Sequence, residues 1–137
     1  MEFTKSLIKG KLVKRYKRFF VDVKLSKEIV TAHCPNTGSM KGLLDAGNEV
    51  YISKNDDPKR KLKYTLEIIK AKNKLIGVNT HFANKIAQHG LSTNLIKELA
   101  NSDSIKPEVF FNKETRFDFL IEKKKKKIFV EVKNVTL

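Results

Sequence analysis

The sequence predicts an α+β chain, with a small closed β-barrel over residues 1–71 and a region of mixed helix and strand over residues 72–137. Three observations lead there. Segments of the first seventy-one residues repeatedly alternate apolar and polar side chains at period two, the signature of half-buried strands. One helical pattern follows, between residues 80 and 91. Beyond it, two further alternating runs flank Glu122 and the lysines 123–127, as the arms of a hairpin would.

From the N-terminus, residues 7–13 form the first predicted strand, with Gly10 marking a bend or bulge. Lys14, Arg15, Tyr16, Lys17 and Arg18 then set cations around one aromatic ring. Phe19, Val21, Val23 and Leu25 alternate with Phe20, Asp22 and Lys24, and a turn at 26–28 leads into a returning strand at 29–33. Residues 33–40 (His-Cys-Pro-Asn-Thr-Gly-Ser-Met) break the pattern as a loop. Its His33-Cys34 pair invites a zinc or nucleophile reading, yet no second Cys or His stands at ligand spacing, since His81 and His89 lie far along the chain. Cys34 is therefore expected as a small buried hydrophobe. Residues 49–53 read as a strand and 55–58 as a turn. Lys59, Arg60 and Lys61 make a second basic cluster, and residues 62–71 a long strand with Leu62, Tyr64, Leu66 and Ile68 on one face. This many short strands suit a closed barrel of the OB type. Such barrels bind single strands through basic grooves and stacking aromatics. The cations of 14–18 and 59–61, with Tyr16, Phe20 and Tyr64, fit that use, and they fit equally a solvated barrel rim.

In the second half, residues 75–78 lead to Thr80, which can cap a helix running to about residue 91, with Ile86 and Leu91 as its apolar contacts. Leu95, Ile96, Leu99 and Ala100 form a second short amphipathic stretch, and Pro107 precedes a strand at 108–111. In the hairpin, Phe117, Phe119 and Ile121 share one face, as do Ile128, Val130 and Val132. Folding it so that Ile121 opposes Ile128 also opposes Asp118 to Glu131. Like charges about 4.5–5.5 Å apart at Cβ are destabilising. A hard divalent cation such as Mg2+ or Mn2+ between the carboxylates would offset that cost. Lys133 projects on the same side and could stabilise charge on a phosphate. Asp118, Glu131 and Lys133 are thus candidate catalytic residues, with Asp118 and Glu131 as metal ligands. The plainer alternative is a surface hairpin whose acids and lysine keep one face wet.

The net charge of +14 favours polyanionic partners, nucleic acid first and an anionic membrane surface second. The candidate DNA-binding residues are Arg15, Tyr16, Lys17, Arg18, Lys59, Arg60 and Lys61. Phosphate contacts position a protein without reading sequence, so no preferred site is expected. Lysine far outnumbers arginine, which the composition of an AT-rich genome would also produce. No run approaches the roughly 18 apolar residues of a membrane span. Residues 1–5 lack the apolar core of a secretory signal. One cysteine cannot close an internal disulfide and suits a reducing cytoplasm.

Several segments, in order, resemble the sugar fermentation stimulation protein A (SfsA) family. They are 15–19 (Arg-Tyr-Lys-Arg-Phe), 30–40 (Val-Thr-Ala-His-Cys-Pro-Asn-Thr-Gly-Ser-Met), 58–62 (Pro-Lys-Arg-Lys-Leu), 77–80 (Gly-Val-Asn-Thr), 116–120 (Arg-Phe-Asp-Phe-Leu) and 130–137 (Val-Glu-Val-Lys-Asn-Val-Thr-Leu). The resemblance implies an N-terminal OB-like β-barrel followed by a PD-(D/E)XK nuclease-like α/β domain. It also implies non-specific DNA binding and a regulatory link to maltose and sugar metabolism. Its motif residues fall on Asp118, Glu131 and Lys133, which makes a divalent-metal-dependent nuclease the alternative function. Two departures stand out. The family's helix carries a glutamate where this chain has His89, and family members continue past the Glu-x-Lys strand. The chain is accordingly expected to be truncated within its second domain and inactive as a nuclease, with Val130, Val132 and Val135 short of packing partners.

Overall fold

In the computed structural model, which describes Phe3 and residues 6–135, the early alternation becomes six strands. These are β1 (Ile8–Tyr16), β2 (Phe20–Lys24), β3 (Ile29–His33), β4 (Glu49–Lys54), β5 (Tyr64–Ala71) and β6 (Lys74–Gly77). They hydrogen-bond in the order β3-β2-β1-β4-β5-β6, and a parallel pairing of β3 with β5 closes the sheet into an OB-like barrel. Closure joins β3 to β5 at Ala32 and His33 and, among the described residues, leaves β6 as an outer strand paired with β5 alone. Leu12, Val21, Val23, Val50, Ile52 and Leu66 fill the interior. The first compact unit reaches to Thr80; the second runs from His81 to Asn134.

Three details of the barrel depart from the simple pattern. Gly10 marks a close approach rather than a bulge: a Cβ there would lie 2.5 Å from Val23 Cγ1 and 3.0 Å from the Lys24 carbonyl oxygen. The irregularity of β1 falls instead between Leu12 and Lys14, where its pairing with β2 shifts. Phe19 lies in the turn between β1 and β2 and is 45% exposed, because Lys17 and Arg18 adopt left-handed backbone and end the alternation early. In β5 the pairing with β4 slips between Tyr51 and Ile52, so Tyr51 opposes Ile68 and Ile52 opposes Leu66. That bulge at Glu67 changes the strand's phase. Leu66 and Ile69 are buried, while Ile68 is only half-buried and Leu62 lies outside the strand. Glu67 is buried too, and its carboxylate accepts from Ser53 Oγ at 2.6 Å and Asn79 Nδ2 at 2.7 Å, the partners a desolvated acid requires.

The second unit holds α1 (His81–Ser92), one 3-10 turn (Lys97–Leu99) and a three-stranded antiparallel sheet of β7 (Ser104–Phe110), β8 (Arg116–Lys123) and β9 (Lys126–Val130), in that order. Its core is Leu91, Phe119 and Ile121, with Ala87, Leu99, Ile128, Val130 and Val132 against it. Val130 and Val132 therefore do find packing partners, whereas Val135 is 69% exposed. Ile86 is exposed, contrary to expectation. Ala87 and Leu91, four residues apart, carry the inward stripe of α1, and Ile86 lies off it. Pro107 sits inside β7, opposite Phe119, rather than before the strand, a position that an edge strand tolerates. Phe117 packs its ring on Phe111 and, 5.0 Å away, on Phe129. The lysine run forms the hairpin tip, with Lys124 and Lys125 at φ 50° and 65°. Thr136 and Leu137, the end of the last family motif, lie outside the described residues.

Candidate functional site

The hairpin register is the one expected, with Ile121 opposite Ile128, and pairing runs to Phe119 opposite Val130. There β9 ends, so Glu131 leaves the ladder one step before it would oppose Asp118. The backbone turns instead to the aspartate: Val132 N–H donates to Asp118 Oδ2 at 2.7 Å. From α1, Asn84 Nδ2 donates to Asp118 Oδ1 at 2.7 Å. Lys133 Nζ donates to Glu131 Oε1 at 2.6 Å. The expected opposition of Asp118 and Glu131 therefore does not form, because β9 ends at Val130, and each acid has its own donors: an amide on each Asp118 oxygen and an ammonium on Glu131. That hydrogen bond, with the charges of Glu131 and Asp118, holds the Lys133 pKa above its ordinary value. These interactions favour the charged ammonium, which suits it to stabilising an anion.

Two carboxylates and an amide side chain make a hard-oxygen donor set, the chemistry that Mg2+ and Mn2+ select. Among the described residues no three His, Cys, Asp or Glu side chains stand together as a cluster that could hold a metal. A hard cation here would have Asp118 and Glu131 as its acidic ligands, with water completing its shell. Sequence reasoning missed Asn84. This asparagine of α1, five residues before His89, reaches Asp118, and an Asn on a helix gives no signal of its own.

In the barrel, Arg15 and Tyr16 end β1, Lys17 and Arg18 form the exposed turn to β2, and Lys59, Arg60 and Lys61 lie in the loop between β4 and β5. Both basic clusters therefore sit in the two loops that OB barrels use to flank a ligand face. Their members differ in freedom. Arg15 spends its guanidinium on backbone carbonyls, donating to Asn36 at 2.7 Å, Gly38 at 2.9 Å and Arg18 at 3.0 Å. Arg60 Nη2 donates to Thr65 Oγ1 at 2.9 Å. Lys17, Arg18, Lys59 and Lys61 are exposed. Tyr16 stacks on Phe20 with ring centres 5.4 Å apart, and Lys14 Nζ lies 5.4 Å from the Tyr16 ring. Tyr64, expected with them, packs against the barrel core instead.

The loop at 33–40 is structural on its inner side. Cys34 is fully buried, its Sγ 3.7 Å from Met40 Sδ, as expected of a small hydrophobe. Gly38 N–H donates to Asn36 Oδ1 at 2.8 Å, and Thr80 Oγ1 donates to the Pro35 carbonyl at 2.9 Å. No helix among the described residues is long and apolar enough to cross a membrane.

Residues 13–78 match the family described as SfsA N-terminal OB domain, and residues 81–137 match that described as Sugar fermentation stimulation protein RE domain. The sugar fermentation stimulation protein homolog of Pelagibacter ubique is 83% identical over 137 residues, covering 100% of this chain and 59% of its own. The Synechocystis homolog is 52% identical over 136 residues, covering 96% and 57%. Among solved structures, that of Pyrococcus furiosus SfsA in complex with Ca2+ superposes with a TM-score of 0.79 at 28% identity, covering 96% of this chain and 55% of that one. The chain spans less than two thirds of the length of the relatives it matches.

Proposed function

This chain belongs to the sugar fermentation stimulation protein (SfsA) family, and we propose that it acts there as a cytoplasmic, non-specific DNA-binding protein. The observation that carries the reading is the placement of Lys17, Arg18, Lys59 and Lys61, all exposed, on the two loops that flank an OB ligand face in a chain of net charge +14. Such contacts neutralise phosphates and release counterions without reading bases. On this reading the link to maltose and other sugar metabolism runs through DNA occupancy. The test is fluorescence anisotropy of labelled DNA across a salt series. Replacing Lys17 and Arg18 by glutamine should weaken binding and flatten the salt dependence by roughly one unit per lost phosphate contact. An unchanged slope would remove this surface from the interface.

A second reading, a divalent-metal phosphodiesterase of PD-(D/E)XK type, rests on Asp118, Glu131 and Lys133. The relative from Pyrococcus furiosus was solved in complex with Ca2+, which supports testing this chain with hard divalent cations. A bound Mg2+ or Mn2+ would supply Lewis-acid activation of a phosphate oxygen and of water. Within the chain, Asn84 and the Val132 N–H hold the Asp118 carboxylate in one orientation, and the Lys133 ammonium would stabilise developing negative charge. Asp118→Asn should abolish Mn2+-dependent cleavage while salt-dependent DNA binding persists. Cleavage that survives the substitution would sink the assignment.

A further inference from the structure

The strand register assembles an aromatic row on the outside of the barrel that no single segment of the sequence displays. Tyr16 of β1 lies opposite Phe20 of β2, and Phe20 lies opposite His33 of β3. Side chains directly opposed across antiparallel strands share a face, so the three rings form one row across three strands. Phe19, in the adjoining turn, stacks on His33 with ring planes 11° apart and centres 6.5 Å apart, and it is 45% exposed. His33 is in turn the parallel neighbour of Thr65, the residue that takes the Arg60 guanidinium. One end of the row therefore begins at the turn bearing Lys17 and Arg18, and the other ends at the loop bearing residues 59–61.

We propose that this row, Tyr16–Phe20–His33 with Phe19, is a stacking platform for unpaired bases, so that the barrel takes single-stranded nucleic acid in preference to duplex. The inference rests on the nucleic-acid reading above and names the substrate class within it. Duplex bases are stacked on one another and offer only their edges, whereas the π-faces of single-stranded bases are free to lie on aromatic rings. Cations in the two flanking loops suit a strand whose phosphates pass the ends of the row while its bases lie along it. Asp22, in the next row, is a carboxylate bonded to the Tyr16 end of this row. It accepts from Tyr16 at 3.2 Å and from Thr31 at 2.9 Å, and Lys14 lies 3.9 Å away to offset its charge.

The test separates bases from phosphates. Three labelled probes of equal length are compared by anisotropy across a salt series: an oligothymidylate, an abasic single strand, and a duplex. The oligothymidylate should bind tenfold or more tighter than the abasic strand at the same salt. Phe19→Leu should lower oligothymidylate affinity by about fivefold to a hundredfold, leave abasic binding unchanged and keep the salt slope, while Phe19→Tyr restores affinity. Phe19 lies in an exposed turn, and the urea midpoint of each variant reports whether the barrel still folds. Equal binding of oligothymidylate and abasic strand, with a steep salt slope, would overturn the stacking platform and leave the charge reading standing. Absence of binding to any probe would overturn both.

Discussion

At the scale of single residues, Arg15 and Glu49 show how much a charged side chain can do for the fold rather than for a ligand. Arg15 ties the turn between β1 and β2 to the loop at 36–39 through carbonyls of Arg18, Asn36 and Gly38. These bonds leave from three separate nitrogens, Nε, Nη1 and Nη2, a spread that a single ammonium nitrogen does not reproduce, so Arg15→Lys is expected to behave nearly like Arg15→Ala. Each should cost about 1–3 kcal/mol, read as a fall in urea midpoint. A loss of DNA binding without loss of stability would return Arg15 to the phosphate-contacting set. Glu49 accepts from Lys9 Nζ and from Tyr51 Oη, both at 2.6 Å. The Lys9 hydrogen bond first, and the Tyr51 one second, hold its carboxyl down at about 2. A depressed acid contributes stability that is complete above its ordinary value near 4.5 and fades as pH falls toward 2. Glu49→Gln should therefore be less stable than the parent at pH 7 and match it near pH 2, in thermal melts across that range. A constant difference at every pH would refute this linkage.

At the scale of elements, the strands were legible wherever alternation ran undisturbed, as in Val21 and Val23 or Ile128 and Val130. They were misread where a local event changes the phase. The Glu67 bulge turned β5 over halfway along, and the left-handed pair Lys17 and Arg18 moved Phe19 from core to surface. Neither has a sequence signal, because lysine and arginine are not residues that favour positive φ. Gly10 was visible as a glycine but not as what it is. Its missing Cβ admits Val23 Cγ1 and the Lys24 carbonyl. Gly10→Ala should overpack the barrel and cost about 1–3 kcal/mol, with the slope of the urea transition unchanged. A neutral substitution would mean that β1 and β2 can separate there without penalty.

At the scale of the whole molecule, a net charge of +14 on 137 residues is a standing self-repulsion. With twenty-nine Lys and Arg against fifteen Asp and Glu, at least fourteen cations have no acid of their own, and in the pairs Lys9–Glu49, Lys54–Asp56 and Arg116–Glu108 the cation is exposed. Salt should accordingly stabilise the protein. The melting temperature is expected to rise between low salt and about 0.5 M NaCl, as the screening length shrinks below the roughly 10 Å reached at 0.1 M. A short oligonucleotide at low salt should produce the same rise through binding. A melting temperature that falls with salt would mean that attractive pairs outweigh the repulsion.

The sequence by itself determined the α+β class, the barrel's place before the hairpin, the buried Cys34, and the candidates Asp118, Glu131 and Lys133. These follow from local periodicity, turn chemistry and residue type, which need no knowledge of distant contacts. Only the tertiary structure decided which polar groups meet. Asn84 and Val132 come to Asp118 from other parts of the second unit, and Arg60 comes to Thr65 beside His33. It also decided the aromatic row, because Tyr16, Phe20 and His33 become neighbours through strand register alone. The physical reason is that hydrogen-bond register and barrel closure set these distances. They are properties of the assembled sheet, which no alternation within a single strand can encode.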